Sequence, residues 1–326
     1  MDVIAWLLDS DPAVRWQVLR DLVAAPADEV ARKRARVARE GWGARLLRSQ
    51  EPDGSWGGGA YFPVPNPDEG HEDRQPWTAT AFVLQQLCQF GVDPADPRVH
   101  AAVTQVARNV RWEADGRPFF DGEVEPCING MTVVLGVWFG HVAEAGGVVG
   151  RLLADRLGDG GWNCWTWTGA TVSSFASTLD VLEGLLAYER ATGGSAEITA
   201  ARREAEEFLL DRRLFRRRST GEPAAPAFTQ FSFPARWHYD VLRALDYFRL
   251  ADRYDPRMDE ALDLVAAKRP PDGTWLLENT HPGAVPFVLE DGDGRPSRWN
   301  TLRALRVLDW AGRSGAQAHV DRGGQV

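Results

Sequence analysis

The stretch Gln50-Glu51-Pro52-Asp53-Gly54-Ser55-Trp56-Gly57 returns in shortened form as Asp159-Gly160-Gly161-Trp162 and Asp272-Gly273-Thr274-Trp275. Each copy lies between two segments with helical periodicity. A Gly after an Asp lets the chain turn with positive φ, and the Trp that follows folds back as an apolar plug over the helix ends. The copies are roughly 110 residues apart, about twice the length of a helix-loop-helix unit, so a degraded copy is expected in each gap. Asp115-Gly116-Arg117-Pro118-Phe119-Phe120 fills the first gap, with Phe for Trp, and the Arg-rich stretch from Asp211 to Gly221 fills the second. Units of this kind cannot bury their faces alone and must stack on one another.

These loops resemble the QW motif of the squalene-hopene cyclase and protein prenyltransferase β-subunit superfamily, and helix spacing extends the likeness from about Asp11 to Trp310. The resemblance implies an all-α fold, an (α/α)6 toroid of inner and outer helices around a central cavity, often used for isoprenoid chemistry.

Apolar periodicity marks six segments as inner helices, at about 12–24, 76–90, 127–141, 172–190, 234–251 and 297–312. Arg15-Trp16-Gln17-Val18-Leu19-Arg20-Asp21-Leu22 aligns with Arg298-Trp299-Asn300-Thr301-Leu302-Arg303-Ala304-Leu305, which pairs the first with the last. More charged, amphipathic segments at about 28–49, 97–112, 144–157, 197–212 and 257–268 are expected outside them. Asp96-Pro97 and Asp255-Pro256 read as the starts of two of these, because Pro is tolerated in a first helical turn. The reading is one domain over 1–314, with a polar, Gly-rich tail at 315–326 that is expected to fray.

Hydrophobic residues at 44% and charged residues at 25% suit a soluble globular chain, whereas 14 Trp exceed the ordinary share and suit both loop plugs and an aromatic cavity. A net charge of −9 argues against a nucleic-acid surface. Arg212, Arg213, Arg216, Arg217 and Arg218 nevertheless form a basic run at a helix end, read as a solvated face or as an anion or partner site. The start of the chain carries no basic, apolar leader and no stretch reaches the ~18 apolar residues of a spanning helix, so a cytoplasmic protein is expected. Three Cys fit a reducing compartment.

Three long Pro- and Gly-rich connections lead into inner helices at 57–76, 217–234 and 274–296, which places any active end at the rim formed by the inner helix N-termini. The cyclases of the superfamily carry an acid cluster directly before a Thr-Ala helix start. Here the matching stretch is His71-Glu72-Asp73-Arg74-Gln75-Pro76-Trp77-Thr78-Ala79, with Thr-Ala kept and Asp73 the nearest acid. The prenyltransferase subunits bind zinc through an Asp-x-Cys and a His at inner helix starts, and the resemblance puts Cys127, Cys164 and His238 in that role. Thiolate and imidazole are donors that zinc prefers. Asn129 stands where the pattern needs a carboxylate or thiol, and buried apolar cysteines with a helix-end histidine explain the same residues.

Asp180 and Asp240 occupy equivalent places in paired helices and fit either an acid-base pair or a structural hydrogen bond between helices. Trp77, Trp165, Trp237 and Trp299 gather near the rim as candidate substrate contacts. Arg236 and Arg298 stand at matching helix starts, suited to a phosphate or carboxylate or to ion pairs between helices. The favoured reading is a cyclase- or transferase-type enzyme acting on an apolar or isoprenoid-like small molecule, zinc-assisted as the resemblance implies, with room for a protein partner subunit. A carbohydrate-active (α/α)6 enzyme using paired carboxylates and a non-catalytic small-molecule-binding scaffold are the rival readings.

Overall fold

In the computed structural model, residues 2–67, 69–70 and 75–323 are described, with the backbone alone for 315–323. The chain forms thirteen α-helices among these residues: α1 (Val3–Leu8), α2 (Pro12–Asp21), α3 (Ala27–Arg34), α4 (Gly41–Arg48), α5 (Thr80–Phe90), α6 (Pro97–Asn109), α7 (Pro126–Trp138), α8 (Val142–Ala154), α9 (Phe175–Thr192), α10 (Ala196–Leu210), α11 (Val241–Leu250), α12 (Asp259–Ala267) and α13 (Arg298–Gly323). A two-residue antiparallel pairing of β1 (Trp275–Leu276) with β2 (Pro296–Ser297) is the one sheet among the described residues.

Side-chain caps fix where the helices begin. Asp11 Oδ1 accepts from the Ala13 amide at 2.8 Å and Asp96 Oδ1 from the Arg98 amide at 2.9 Å, each with Pro in the first turn. Ser174 caps α9 and Asp240 caps α11. Two inner helices therefore start later than periodicity suggests. Asp240 sets the α11 boundary at Val241, which leaves Arg236, Trp237 and His238 in the preceding loop, where Arg236 has a φ of 56°. Likewise, Pro256 opens a short 3₁₀ turn at Pro256–Met258, and α12 follows it.

Six helices close a ring in the order α2, α5, α7, α9, α11, α13 and back to α2. Trp16 Nε1 donates to Phe90 O at 2.9 Å across α2 and α5, while α5 packs on α7 and α7 on α9. Arg243 of α11 pairs with Asp180 of α9, and Arg306 of α13 pairs with both Asp246 of α11 and Asp21 of α2. Outer helices α3, α4, α8, α10 and α12 lean on this ring. The first and last inner helices thus meet, as their matching sequences suggest.

The three Trp loops share one construction. Trp56, Trp162 and Trp275 are buried, and their Nε1 atoms donate to Leu46 O at 2.8 Å, Leu152 O at 2.7 Å and Val265 O at 2.8 Å. Those carbonyls belong to the last turns of α4, α8 and α12, which have no partner within their own helices. The backbone amides of the same tryptophans donate to Thr80, Thr178 and Thr301 Oγ1 at 3.0, 3.2 and 2.9 Å, in the first turns of the next inner helices. Each loop therefore ties the end of an outer helix to the start of an inner one. In the first gap Trp112 stacks on Phe119 at 4.8 Å and donates to its carbonyl at 2.7 Å.

Close approach of α7 and α9 depends on glycine. A Cβ at Gly130 would lie 2.4 Å from Asp180 O, and one at Gly184 would lie 2.7 Å from Gly130 O. Because both neighbours are backbone, neither can move aside cheaply. Gly130→Ala is expected to cost about 1–3 kcal/mol by overpacking, and chemical denaturation followed by circular dichroism checks this; an unchanged midpoint would show that the two helices have slack.

Candidate functional site

Arg243 organises the upper interior of the ring. Its Nη2 donates to Asp180 Oδ1 at 2.5 Å and to Glu183 Oε2 at 2.7 Å, Nε donates to Glu183 Oε1 at 3.0 Å, and Nη1 donates to His238 O at 2.9 Å. Its backbone amide donates to Asp240 Oδ1 at 2.7 Å. Asp240 Oδ2 accepts from Ser232 Oγ at 3.0 Å and from the Ser232 amide at 3.3 Å. Asp240 is thus a helix cap whose two oxygens are both engaged, and it is not a second acid or base facing Asp180. Asp180 thus bonds the Arg243 guanidinium between α9 and α11, whereas Asp240 accepts from the Arg243 backbone amide and has Arg303 of α13 at 3.9 Å, so no bond joins the two carboxylates.

Only one oxygen of Asp180 is used. Oδ2 is buried and has no hydrogen-bond partner, and the residue is 2% exposed. Burial pushes its carboxyl up from the usual 3.8 to about 7; the Arg243 charge opposes this and the Glu183 charge adds to it. Asp180 lines a narrow crevice with Tyr61, Phe82, Ile128, Met131, Cys127 and Trp237, at the rim expected from the loop pattern.

A second cavity, of about 190 Å³, is lined by Gln17, Gln85, Gln89, Asp246, Arg303 and Arg306 together with Leu135, Phe233 and Trp299. Trp299 is stacked on Phe233 at 4.3 Å. The charged residues in this lining depart from the apolar interior inferred from composition: an ion pair that closes the ring, Arg306 with Asp246, borders the cavity. Burial works to raise the Asp246 carboxyl, but Arg306 and Arg249 more than offset it and hold the group well below the usual range.

The remaining sequence candidates separate into groups. The sulfurs of Cys127 and Cys164 are joined in a disulfide, with Glu125 beside them; among the described residues these three make up the group of His, Cys and acid side chains whose ligand atoms lie within 4.8 Å of one another. His238 is absent from that group. It stacks instead between Trp237 at 3.8 Å and His281 at 3.5 Å, and burial followed by the His281 charge pushes it down to about 3. Zinc would therefore find two sulfurs and one carboxylate, fitting donors only with the sulfur-sulfur bond reduced. Trp77 is buried and donates to Pro282 O at 3.0 Å, pinning one rim loop to another. Arg236 is buried over the Trp77 ring at 5.3 Å, with both terminal nitrogens 3.0 Å from the Gln86 side-chain amide, whose oxygen accepts from them when the amide is turned over, and burial lowers it to about 9.

Arg298 does not reach the interior. It donates to Asp9 O at 3.0 Å and covers the Trp6 ring at 4.9 Å, tying α1 to α13. Trp165 and Trp167 stack on each other at 6.0 Å on the outer rim, 62% and 76% exposed, and do not line the crevice. Asp73 lies outside the described residues. Sequence reasoning passed over Tyr61, Glu125, Arg243 and His281. Two of these had a signal: Glu125 is two residues before Cys127 at one helix start, and Arg243 lies one turn after the cap Asp240.

No family model matches the chain, and no curated protein matches it significantly. Solved structures do show likeness. A protein from Actinoplanes shares 17% identity, covering 93% of this chain and 90% of that one, with a TM-score of 0.43. The type II terpene cyclase MstE from Scytonema, without ligand, shares 16% over 91% of this chain and 86% of that one, with a TM-score of 0.44. A variant of that cyclase in complex with geranylgeranyl dihydroxybenzoate shares 16% over 95% and 86%, again at 0.44. Among the described residues no helix is long and apolar enough to cross a membrane.

Proposed function

We propose that this chain is a cyclase- or transferase-type enzyme that acts on an apolar, isoprenoid-like small molecule at the rim crevice, with Asp180 as the proton donor. The observation that carries this reading is the unpartnered, buried Oδ2 of Asp180, a residue that lines a crevice of about 10 Å³ walled by Tyr61, Phe82 and Trp237, which has to widen to admit a substrate. A carboxyl pushed up to about 7 still holds its proton over much of the neutral range. An electron pair of the substrate would take that proton from Oδ2, and Arg243 on Oδ1 would hold the carboxylate left behind. The ring faces around the crevice then stabilise the positive charge that forms on the substrate. Glu183 keeps Arg243 in place. With the disulfide reduced, Glu125, Cys127 and Cys164 would hold zinc, which would supply a Lewis acid when bound.

Incubating the full chain with polyprenyl alcohols and their terminal epoxides, followed by gas chromatography and mass spectrometry, tests the proposal. Cyclised or isomerised products are expected, formed at least about a hundredfold more slowly by Asp180→Asn, with the rate declining as pH rises through about 7. Equal turnover by a well-folded Asp180→Asn protein would remove Asp180 from the chemistry. If no apolar substrate is turned over, the binding-scaffold reading takes its place.

A further inference from the structure

The arginine run between α10 and α11 takes no part in the reading above. Its backbone is not a continuation of α10: Arg213 and Leu214 have φ values of 47° and 66°, Leu214 and Phe215 are buried, and the Tyr239 hydroxyl donates to Leu214 O. This turn gathers side chains that a straight helix would spread around its circumference. Arg212, Arg213, Arg216, Arg217 and Arg218 line one hollow of about 580 Å³, together with Asp211, Gly221 and Glu260.

Carboxylates there do not balance the cations. Glu260 serves Arg216 at 2.8 Å and Arg213 at 3.4 Å, and Asp211 is drawn off by Arg257 at 2.9 Å. Arg212, lying over the Phe208 ring at 3.6 Å, donates to Phe208 O, and Arg217 donates to Ala224 O at 2.9 Å. Neither they nor Arg218 have a carboxylate at ion-pair distance among the described residues. An excess of guanidinium groups is thus held together on a chain whose net charge is −9. Guanidinium presents its donors in a planar fork that matches carboxylate and phosphate oxygens alike, and several forks around one hollow suit a multiply charged phosphate with three or more acceptor oxygens.

We infer that the hollow binds a phosphate-bearing anion, a chemistry shared by soluble phosphorylated small molecules and by phosphate-headed lipids. Isothermal titration of the full chain with sodium pyrophosphate at constant ionic strength should give saturable binding. A triple variant, Arg213→Ala, Arg217→Ala and Arg218→Ala, alters exposed side chains outside the rim crevice and should weaken that binding at least tenfold. Binding confined to phosphatidic acid vesicles over phosphatidylcholine vesicles, and lost in the triple variant, would assign the lipid source. The inference is overturned if neither pyrophosphate nor phosphatidic acid binds, if the folded triple variant binds equally well, or if a polyglutamate peptide binds as tightly as the phosphate ligand. That last result would assign the hollow to an acidic protein segment.

Discussion

Trp162→Ala lowers the unfolding free energy by about 3–5 kcal/mol, whereas Trp165→Ala, three residues along, changes it by no more than about 0.5 kcal/mol. Trp162 is wholly buried, while Trp165 is 62% exposed. Truncating Trp162 removes an indole from between α8 and α9, and it also frees the Leu152 carbonyl that this indole satisfies. The cavity and the unpaired acceptor act in the same direction, since a buried polar group without a partner costs about 1–3 kcal/mol. Urea denaturation followed by circular dichroism separates the two variants. A Trp162→Ala loss below about 1 kcal/mol would mean that the loop is not a tie between layers but a surface turn that happens to be covered.

What the sequence made legible follows from how local each determinant is. The Asp-Gly-x-Trp loops carry their turn chemistry and their plug within four residues, so their positions could be read directly, as could the helices on either side. Helix starts were less legible where a cap lies inside an apolar run. Asp240 reads as a continuation of the periodic pattern, yet its two oxygens end the loop and begin α11. Site geometry was harder still. Cys127 and Cys164 meet across 37 residues because α7 and α9 approach through Gly130 and Gly184, a packing detail with no local signature. His238 belongs to the same group only if it opens a helix, and the loop that holds it stacks it on His281 instead. Asp180 stands out in the sequence by its place in paired helices, whereas Arg243 does not. Nothing in a single chain says which of many arginines will be enclosed with two acids, since that depends on ring closure.

Arg243→Met is expected to destabilise the protein by about 3–5 kcal/mol near pH 8, because removing one partner leaves buried charge without compensation. Asp180 and Glu183 would then face each other inside the ring with the guanidinium gone. The sign of the pH dependence distinguishes this cause from simple loss of packing. In the native protein burial already raises the Asp180 carboxyl from 3.8 in the unfolded chain to about 7. The folded state thus holds its proton more tightly, and the stability linked to this group is complete below pH 3.8 and lost as pH rises through about 7. Without Arg243 the folded pKa moves higher still, so the deficit of Arg243→Met should be largest in mild alkali and shrink toward pH 5, where Asp180 is neutral in the fold. Adding Asp180→Asn to Arg243→Met should remove much of the deficit at pH 8 and flatten its pH profile. Thermal or urea unfolding of the single and double variants at pH 5 and pH 8 measures this directly. A deficit that is the same at both pH values, and unchanged by Asp180→Asn, would show that Arg243 stabilises the ring by packing and that the Asp180 carboxyl is not held protonated by its surroundings.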